Sequence, residues 1–318
     1  MDANAETRPE PSAVPALPWE RPFRDELFAA GLLIPSGIDG LYGRAAAFED
    51  VVDAARALVG RLGAGDGAEV FSFPPGMART TFEQSEYVRG FPQLAGTVHA
   101  FCGDDRGHRE ILRCLDAGED WTGQQQPTDI VLTPAACYPI YPVLALRGVV
   151  PAGGWVADMF SYCFRREPSV EPTRMQLFRI REYVRIGTPD QVATFRQSWL
   201  DRVPGVFADL GLPFEIDVAN DPFFGRIGRL KAQDQRELNL KFEGLVPVNS
   251  IARPTACVSF NAHIDHFSRI WDLRLASGER ANTGCVGFGL ERITLALFRH
   301  HGLRTAEWPA AVKTTLWP

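Results

Sequence analysis

Two strand-length runs near the middle of the chain restrict its fold more than any other feature. Gly153 to Arg165 and Met175 to Ile186 both read as extended segments, and the Pro-rich stretch RREPSVEPTR (165–174) turns the chain back between them as a hairpin. Elsewhere the order is irregular. AAAFEDVVDAARALVGRLG (45–63) places Phe48, Val51, Val52, Ala55, Leu58 and Val59 near one helical face, and GAGDG ends it before a short strand, Glu69–Phe73, that runs into Pro74–Pro75. Residues 90–115 read as a strand followed by a helix. The apolar run Ile130 to Val150 is broken by prolines that lack the ladder donor, so it is not a continuous central strand. Pro189 to Leu210 is an amphipathic helix expected to be interrupted at Pro204. Val246–Ile251 and Thr255–Asn261 are further strand candidates, and Leu290–His300 is a terminal helix. Strands gathered with helices around them, without a regular βαβ alternation, predict an α+β fold: an antiparallel sheet flanked by helices. No repeat or flexible linker divides the chain. It reads as one catalytic domain over 21–318 behind a loose Pro/Ala-rich tail at 1–20.

Charge narrows the function. Lys plus Arg number 33 and Asp plus Glu 39, a net of −6, which excludes broad charge-driven nucleic-acid binding because that mode needs basic surface to displace counterions. The six cysteines form no CxxC pair and read as reduced thiols. No apolar run approaches the roughly 20 residues that cross a bilayer, and the acidic N-terminal stretch lacks a secretion pattern. A cytoplasmic protein without membrane partners is expected.

Chemistry concentrates in two places. Phe164-Arg165-Arg166-Glu167 precedes the turn, and Arg174-x-x-x-Phe178-x-x-x-Glu182 follows it. Read as a hairpin, Arg165 and Glu167 lie on one strand opposite Phe178 and Glu182 on the other, with even spacing keeping side chains on one face. An arginine fork can grip a phosphate or carboxylate, a ring can stack on a purine, and a glutamate can accept from an exocyclic amine. The plainer reading is a solvated charged hairpin with one buried Phe. The second place is GCVGFGLER (284–292), where glycines on a strand admit close approach and Arg292 sits at the strand–helix junction. A tight packing turn is the plainer reading there, and the glycine spacing does not fit a dinucleotide fingerprint.

Together these elements resemble the signature of class II aminoacyl-tRNA synthetase catalytic cores. The helix–strand–proline over Phe48–Pro75 resembles motif 1, FRRE…RMQLFRIRE resembles motif 2, and GCVGFGLER resembles motif 3, in that order along the chain. Within the class, LIPSGIDGLYGR, GFPQLAGTVHAFCG, LTPAACYPIYP, NDPFFGRIGRLKAQDQRE and NAHIDHF are similar to the seryl-tRNA synthetase-like amino acid:carrier-protein ligases, over about residues 33–300. The resemblance implies a zinc-dependent homodimer that activates glycine or alanine with ATP and passes the aminoacyl group to the phosphopantetheine thiol of a carrier protein. Only about 45 residues precede the motif 1 helix, without heptad pattern, so a tRNA-holding arm and a tRNA partner are not expected.

The same resemblance places zinc on Cys137, Glu182 and Cys285. Three ligands leave a fourth position for the substrate amine. It implies that Arg165 bridges the amino-acid carboxylate and the ATP α-phosphate, and that Arg292 holds the γ-phosphate and lies against adenine. Phe178 would stack on the other adenine face and Glu167 would read its amine. Mg2+ is implied by the pyrophosphate leaving group, with Asn261 as one candidate ligand. His263 and His266 are candidate metal residues only in the sense that HIDH contains a pair; surface or hydrogen-bonded core roles are the more common reading. Asp221 borders the amino-acid pocket or simply forms a turn before Pro222. Arg226, Arg229 and Lys231 form either a docking surface for an acidic carrier or an ordinary solvated helix face. Two other readings stay open: a synthetase acting on tRNA through a separate partner, and an inactive paralogue with a regulatory role.

Overall fold

A computed structural model describes residues 22–318, with the side chains of 226–231 excepted. The expected tail at 1–20 lies outside the described residues. A seven-stranded sheet organises the rest. Its strands are β1 (Glu69–Ser72), β2 (Trp155–Phe164), β3 (Leu177–Gly187), β4 (Glu215–Val218), β5 (Lys241–Val246), β6 (Thr255–Ile264) and β7 (Asn282–Gly289), in the spatial order β1-β2-β3-β7-β6-β5-β4. Only β1–β2 is parallel; every other neighbouring pair is antiparallel. The fold is α+β, an antiparallel-dominated sheet flanked by helices, as the sequence predicts.

Each face of the sheet carries its own core because side chains alternate along a strand. On β3, Tyr183 packs with α1 (Ala46–Gly63), α2 (Pro189–Asp209) and α4 (Leu290–His301), while Ile180, Val184 and Ile186 point the other way. That second face is covered by the short helices Ile140–Ala145 and His266–Trp271. A separate three-stranded sheet (Gly76–Ala78, Thr97–Phe101, Gln125–Leu132) and a hairpin (Leu33–Ile38 with Leu41–Arg44) lie outside the main sheet.

Local chemistry sets these boundaries. Phe48, Val51, Val52, Ala55 and Val59 are buried along α1, matching the apolar stripe. Thr188 and Gln191 cap α2 reciprocally: the Gln191 N–H donates to Thr188 Oγ1 at 3.2 Å, and the Thr188 N–H to Gln191 Oε1 at 3.0 Å. Two expectations need correction. Pro204 does not interrupt α2, which runs on to Asp209; buried Val203 and Phe207 on either side hold the helix against the sheet. The strand expected at Val246–Ile251 instead ends at Val246, because Pro247 has no N–H to extend the ladder. The proline-broken run behaves as anticipated: one strand ends at Leu132, and Pro139 precedes the helix at Ile140.

Candidate functional site

Glu182 and Cys285 reach the same face from adjacent strands. Glu182 pairs with Gly287 and Val184 with Cys285 in the β3–β7 ladder, two residues apart on each strand. Cys137 arrives from the turn ahead of the Ile140–Ala145 helix, anchored by its own N–H donating to Glu182 Oε2 at 2.9 Å. The two sulfurs and a carboxylate oxygen lie within 4.8 Å of one another, all buried. Gly284 lets this stretch of β7 sit close to its neighbours, since a Cβ there would lie 2.8 Å from both the Asn261 carbonyl oxygen and a Val192 methyl.

The group is electrostatically costly as it stands. Burial raises the Glu182 carboxyl above its usual range. A hydrogen bond to Cys285 favours the Cys137 thiolate, but burial and the Glu182 charge outweigh it and push the thiol up to about 11. Contact with Cys137, then burial and Glu182, push Cys285 well above an ordinary thiol. Two soft sulfurs and one carboxylate, with the Arg165 charge too weak to offset the burial of Glu182, are the donor chemistry of a borderline divalent ion, whose charge would reverse each shift.

Cys285 Sγ has further polar neighbours. Asn261, directly opposite on β6, donates from Nδ2 to the sulfur at 3.3 Å and to Ser259 Oγ at 3.2 Å. His263 Nε2 lies 3.5 Å from the sulfur, and its Nδ1 is 3.1 Å from Thr283 Oγ1. Burial pushes this imidazole down to about 3, so it is neutral. His263 thus sits beside the thiol group as a hydrogen-bonded neighbour. A row of rings continues from it: Tyr141 stacks on Phe267 at 4.0 Å, Tyr138 meets Phe267 edge-on, and Tyr87 meets Tyr138.

Arg165 stands close enough for its charge to act on Glu182, and Arg292 faces Arg165. Arg165 is not on the strand as the hairpin reading expects, nor is Glu167. The β2–β3 ladder closes at Phe164 opposite Leu177; the Arg165 N–H then bonds Gln176 O, and the Glu167 N–H turns back onto Arg165 O ahead of Pro168. Both side chains therefore hang from the connecting loop. Phe178 does lie on β3, opposite Cys163, with the Arg165 guanidinium 5.5 Å from its ring centre. Arg165 Nε donates to Pro134 O at 3.2 Å. Arg292, in the first turn of α4, reaches the same loop: Nε donates to Thr173 O at 3.0 Å and Nη1 to Ala256 O at 2.9 Å. Burial and then the nearby Arg165 charge both lower the Arg292 pKa. Two like charges converge here, an arrangement suited to an anion. Glu167 is 3.8 Å from Arg174.

Asp221 is more than a turn residue. Lys241 Nζ donates to its Oδ1 at 2.6 Å, Gln235 Nε2 to its Oδ2 at 2.8 Å, and its own N–H donates to Gln235 Oε1 at 2.7 Å. Burial opposes its charge, but Lys241 and Gln235 outweigh burial and hold the carboxyl below its usual value. Asp221 in turn helps raise Arg165, whose charge burial disfavours. Sequence reasoning missed Lys241, Gln235 and the row of rings. NDP with a lysine 20 residues later carries no recognisable spacing. Arg226, Arg229 and Lys231 belong to α3 (Gly225–Glu237), and their side chains lie outside the described residues.

No family model matches the chain. It is 48% identical over 288 residues to amino acid–acyl-carrier-protein ligase 2 of Bradyrhizobium diazoefficiens, covering 91% of this chain and 86% of the relative. Over 194 residues it is 29% identical to the type-2 serine–tRNA ligase of Methanopyrus kandleri, spanning 57% of this chain but 37% of that protein. The structure of M. kandleri SerRS in complex with A. aeolicus tRNASec superposes with a TM-score of 0.78 at 23% identity, over 96% of this chain and 62% of that one, a likeness of fold. Identity at this level over nearly the whole length, on a class II synthetase framework, makes the chain a member of the amino acid–acyl-carrier-protein ligases.

Proposed function

We propose that this enzyme activates glycine or alanine with ATP and Mg2+ as an aminoacyl-adenylate, and transfers the aminoacyl group to the phosphopantetheine thiol of a carrier protein. The observation that carries the reading is the buried Cys137–Glu182–Cys285 group near Arg165, which in turn converges with Arg292. Cys137, Glu182 and Cys285 would hold zinc, which when bound supplies a Lewis acid for the substrate amine. Asp221, held by Lys241, offers the remaining negative charge at the pocket edge.

Arg165 neutralises charge as a carboxylate oxygen of the amino acid attacks the α-phosphorus. That P–O bond forms as the bond to the β-phosphate oxygen breaks, and pyrophosphate leaves. Arg292 takes the γ-phosphate and lies against adenine, Phe178 stacks on the other adenine face, and Glu167 accepts from the adenine amine. In the second step the pantetheine sulfur, having lost its proton, attacks the aminoacyl carbonyl and AMP departs. No cysteine of this chain is needed as nucleophile. Selection between glycine and alanine rests on one methyl group, worth about 1–3 kcal/mol in a pocket. Arg226, Arg229 and Lys231 are proposed to meet the acidic carrier.

The chain is also proposed to work as a homodimer. Strand β1 is a sheet edge with Val70 73% exposed, a surface that suits a second copy. Light scattering on the purified chain reads this directly. Exchange of labelled pyrophosphate into ATP, run with each amino acid in turn, tests the activation step. Exchange confined to glycine or alanine and abolished by a chelator supports the reading; exchange with serine, or none with any amino acid, contradicts it.

A further inference from the structure

Behind the nucleotide side chains of the proposed reaction, on the opposite face of β3, lies a cluster of four charges with Arg179 and Glu291 buried at its centre. Strand β7 ends at Gly289, opposite Ile180, so the next N–H of β3, that of Arg179, has no strand to donate to. Glu291 replaces it: Oε2 accepts the Arg179 backbone N–H at 2.7 Å, and Oε1 accepts Arg179 Nε at 2.7 Å. The far side of the same guanidinium is forked by Glu49 of α1, at 2.5 and 2.8 Å. Arg44 completes the group, 3.6 Å from Glu291 and 3.8 Å from Glu49. Arg179 is 6% exposed and Glu291 2%, so these contacts are little screened by water.

The neighbours in sequence give the cluster its meaning. Arg179 follows Phe178, and Glu291 precedes Arg292. We propose that Glu291 and Arg179 are a positioning pair for ATP: by bolting the first turn of α4 to β3, they fix the separation between the adenine platform, Phe178, and the phosphate-binding Arg292. The proposal rests on the nucleotide-binding reading above. Glu291 is suited to the task because a carboxylate in the first turn of a helix is also favoured by the exposed N–H groups there. Glu49 braces Arg179 from α1 but touches neither nucleotide element, so it serves as the internal control.

Three variants, Glu291→Ala, Glu291→Gln and Glu49→Gln, are compared with the wild type. Affinity for a fluorescent ATP analogue, the KM for amino acid in pyrophosphate exchange, metal content and melting temperature are read for each. Glu291→Ala is expected to weaken nucleotide affinity about 10-fold or more, the scale on which misplacement of a binding group by a fraction of an ångström acts. Its amino-acid KM and metal content should stay within about two-fold of wild type. Glu291→Gln, which keeps one acceptor for the backbone N–H, should recover part of the affinity. Glu49→Gln should lower the melting temperature with nucleotide affinity unchanged. Wild-type affinity in both Glu291 variants overturns the proposal, as does an equal loss in Glu49→Gln. Should Glu291→Ala fail to fold, Glu291→Gln decides alone. A wild type that binds the analogue but shows no exchange sinks the proposed reaction and leaves the positioning test intact; a wild type that binds none removes both.

Discussion

Cys285 carries a sharper burden than its five fellow cysteines. It is buried against Cys137, Glu182, Asn261 and His263, while Cys102 is exposed. Cys285→Ala is therefore expected to lose bound zinc to background, with pyrophosphate exchange lost alongside. Cys102→Ala should keep both; elemental analysis of the purified variants checks the pair, and full metal in Cys285→Ala would remove the site. Asp221 bears on stability as well. Its folded pKa lies below the ordinary 3.8, so its contribution is whole above that pH and drains as the pH falls through the lower folded value. Lys241 has the opposite sign: burial lowers it but Asp221 and Glu243 raise it above 10.5, so its share is lost only as the pH rises past the folded value. Asp221→Asn should cost roughly 1.5–3 kcal/mol at neutral pH, the worth of hydrogen bonds to a charged group. The gap from wild type in melting temperature should close below pH 3.8. A gap independent of pH would place the effect elsewhere.

At the scale of elements, α1 lies on β3 through glycine. A Cβ at Gly63 would stand 2.3 Å from the Tyr183 ring, which is buried and packed on Trp199 at 4.8 Å. A Cβ at Gly60 would stand 2.4 Å from Arg181 Nη1, the end of a longer side chain that Asp158 and the Arg56 carbonyl hold but that can swing further than a buried ring. Gly63→Ala should then destabilise by about 1–3 kcal/mol, as overpacking does, and Gly60→Ala by less. Denaturant titration of the two variants distinguishes them, and equal costs would contradict the packing argument. Helices and strands with a local signature were legible in the sequence: the stripe of α1, the glycine strand β7, the proline stops. What misled was the reach of an element past its last ladder bond. Arg165 and Glu167 continue an apparent strand in sequence, yet pairing has already ended at Phe164. Pro204 lies within a helix that its buried neighbours sustain, and Pro247 trims a strand whose apolar residues continue beyond it.

For the molecule as a whole, the order of the three motifs and the resemblance they carry were readable, because each motif is contiguous. The site is not contiguous. Cys137 lies in an apolar segment and reads alone as a core thiol; only the β3–β7 register brings Cys285 beside Glu182. The same holds for Lys241 with Asp221 and for Glu291 with Arg179, whose partnerships arise from strand order. Family membership rests on identity across 91% of the chain, and the destination of the aminoacyl group is the claim on which the proposed function turns. Incubating the enzyme with ATP and labelled glycine or alanine beside a pantetheinylated carrier, the same carrier without its pantetheine arm, and tRNA measures that destination directly. Label confined to the pantetheinylated carrier, and released by hydroxylamine as a thioester, is the expected result; label on tRNA, or an unlabelled carrier despite active pyrophosphate exchange, would contradict it.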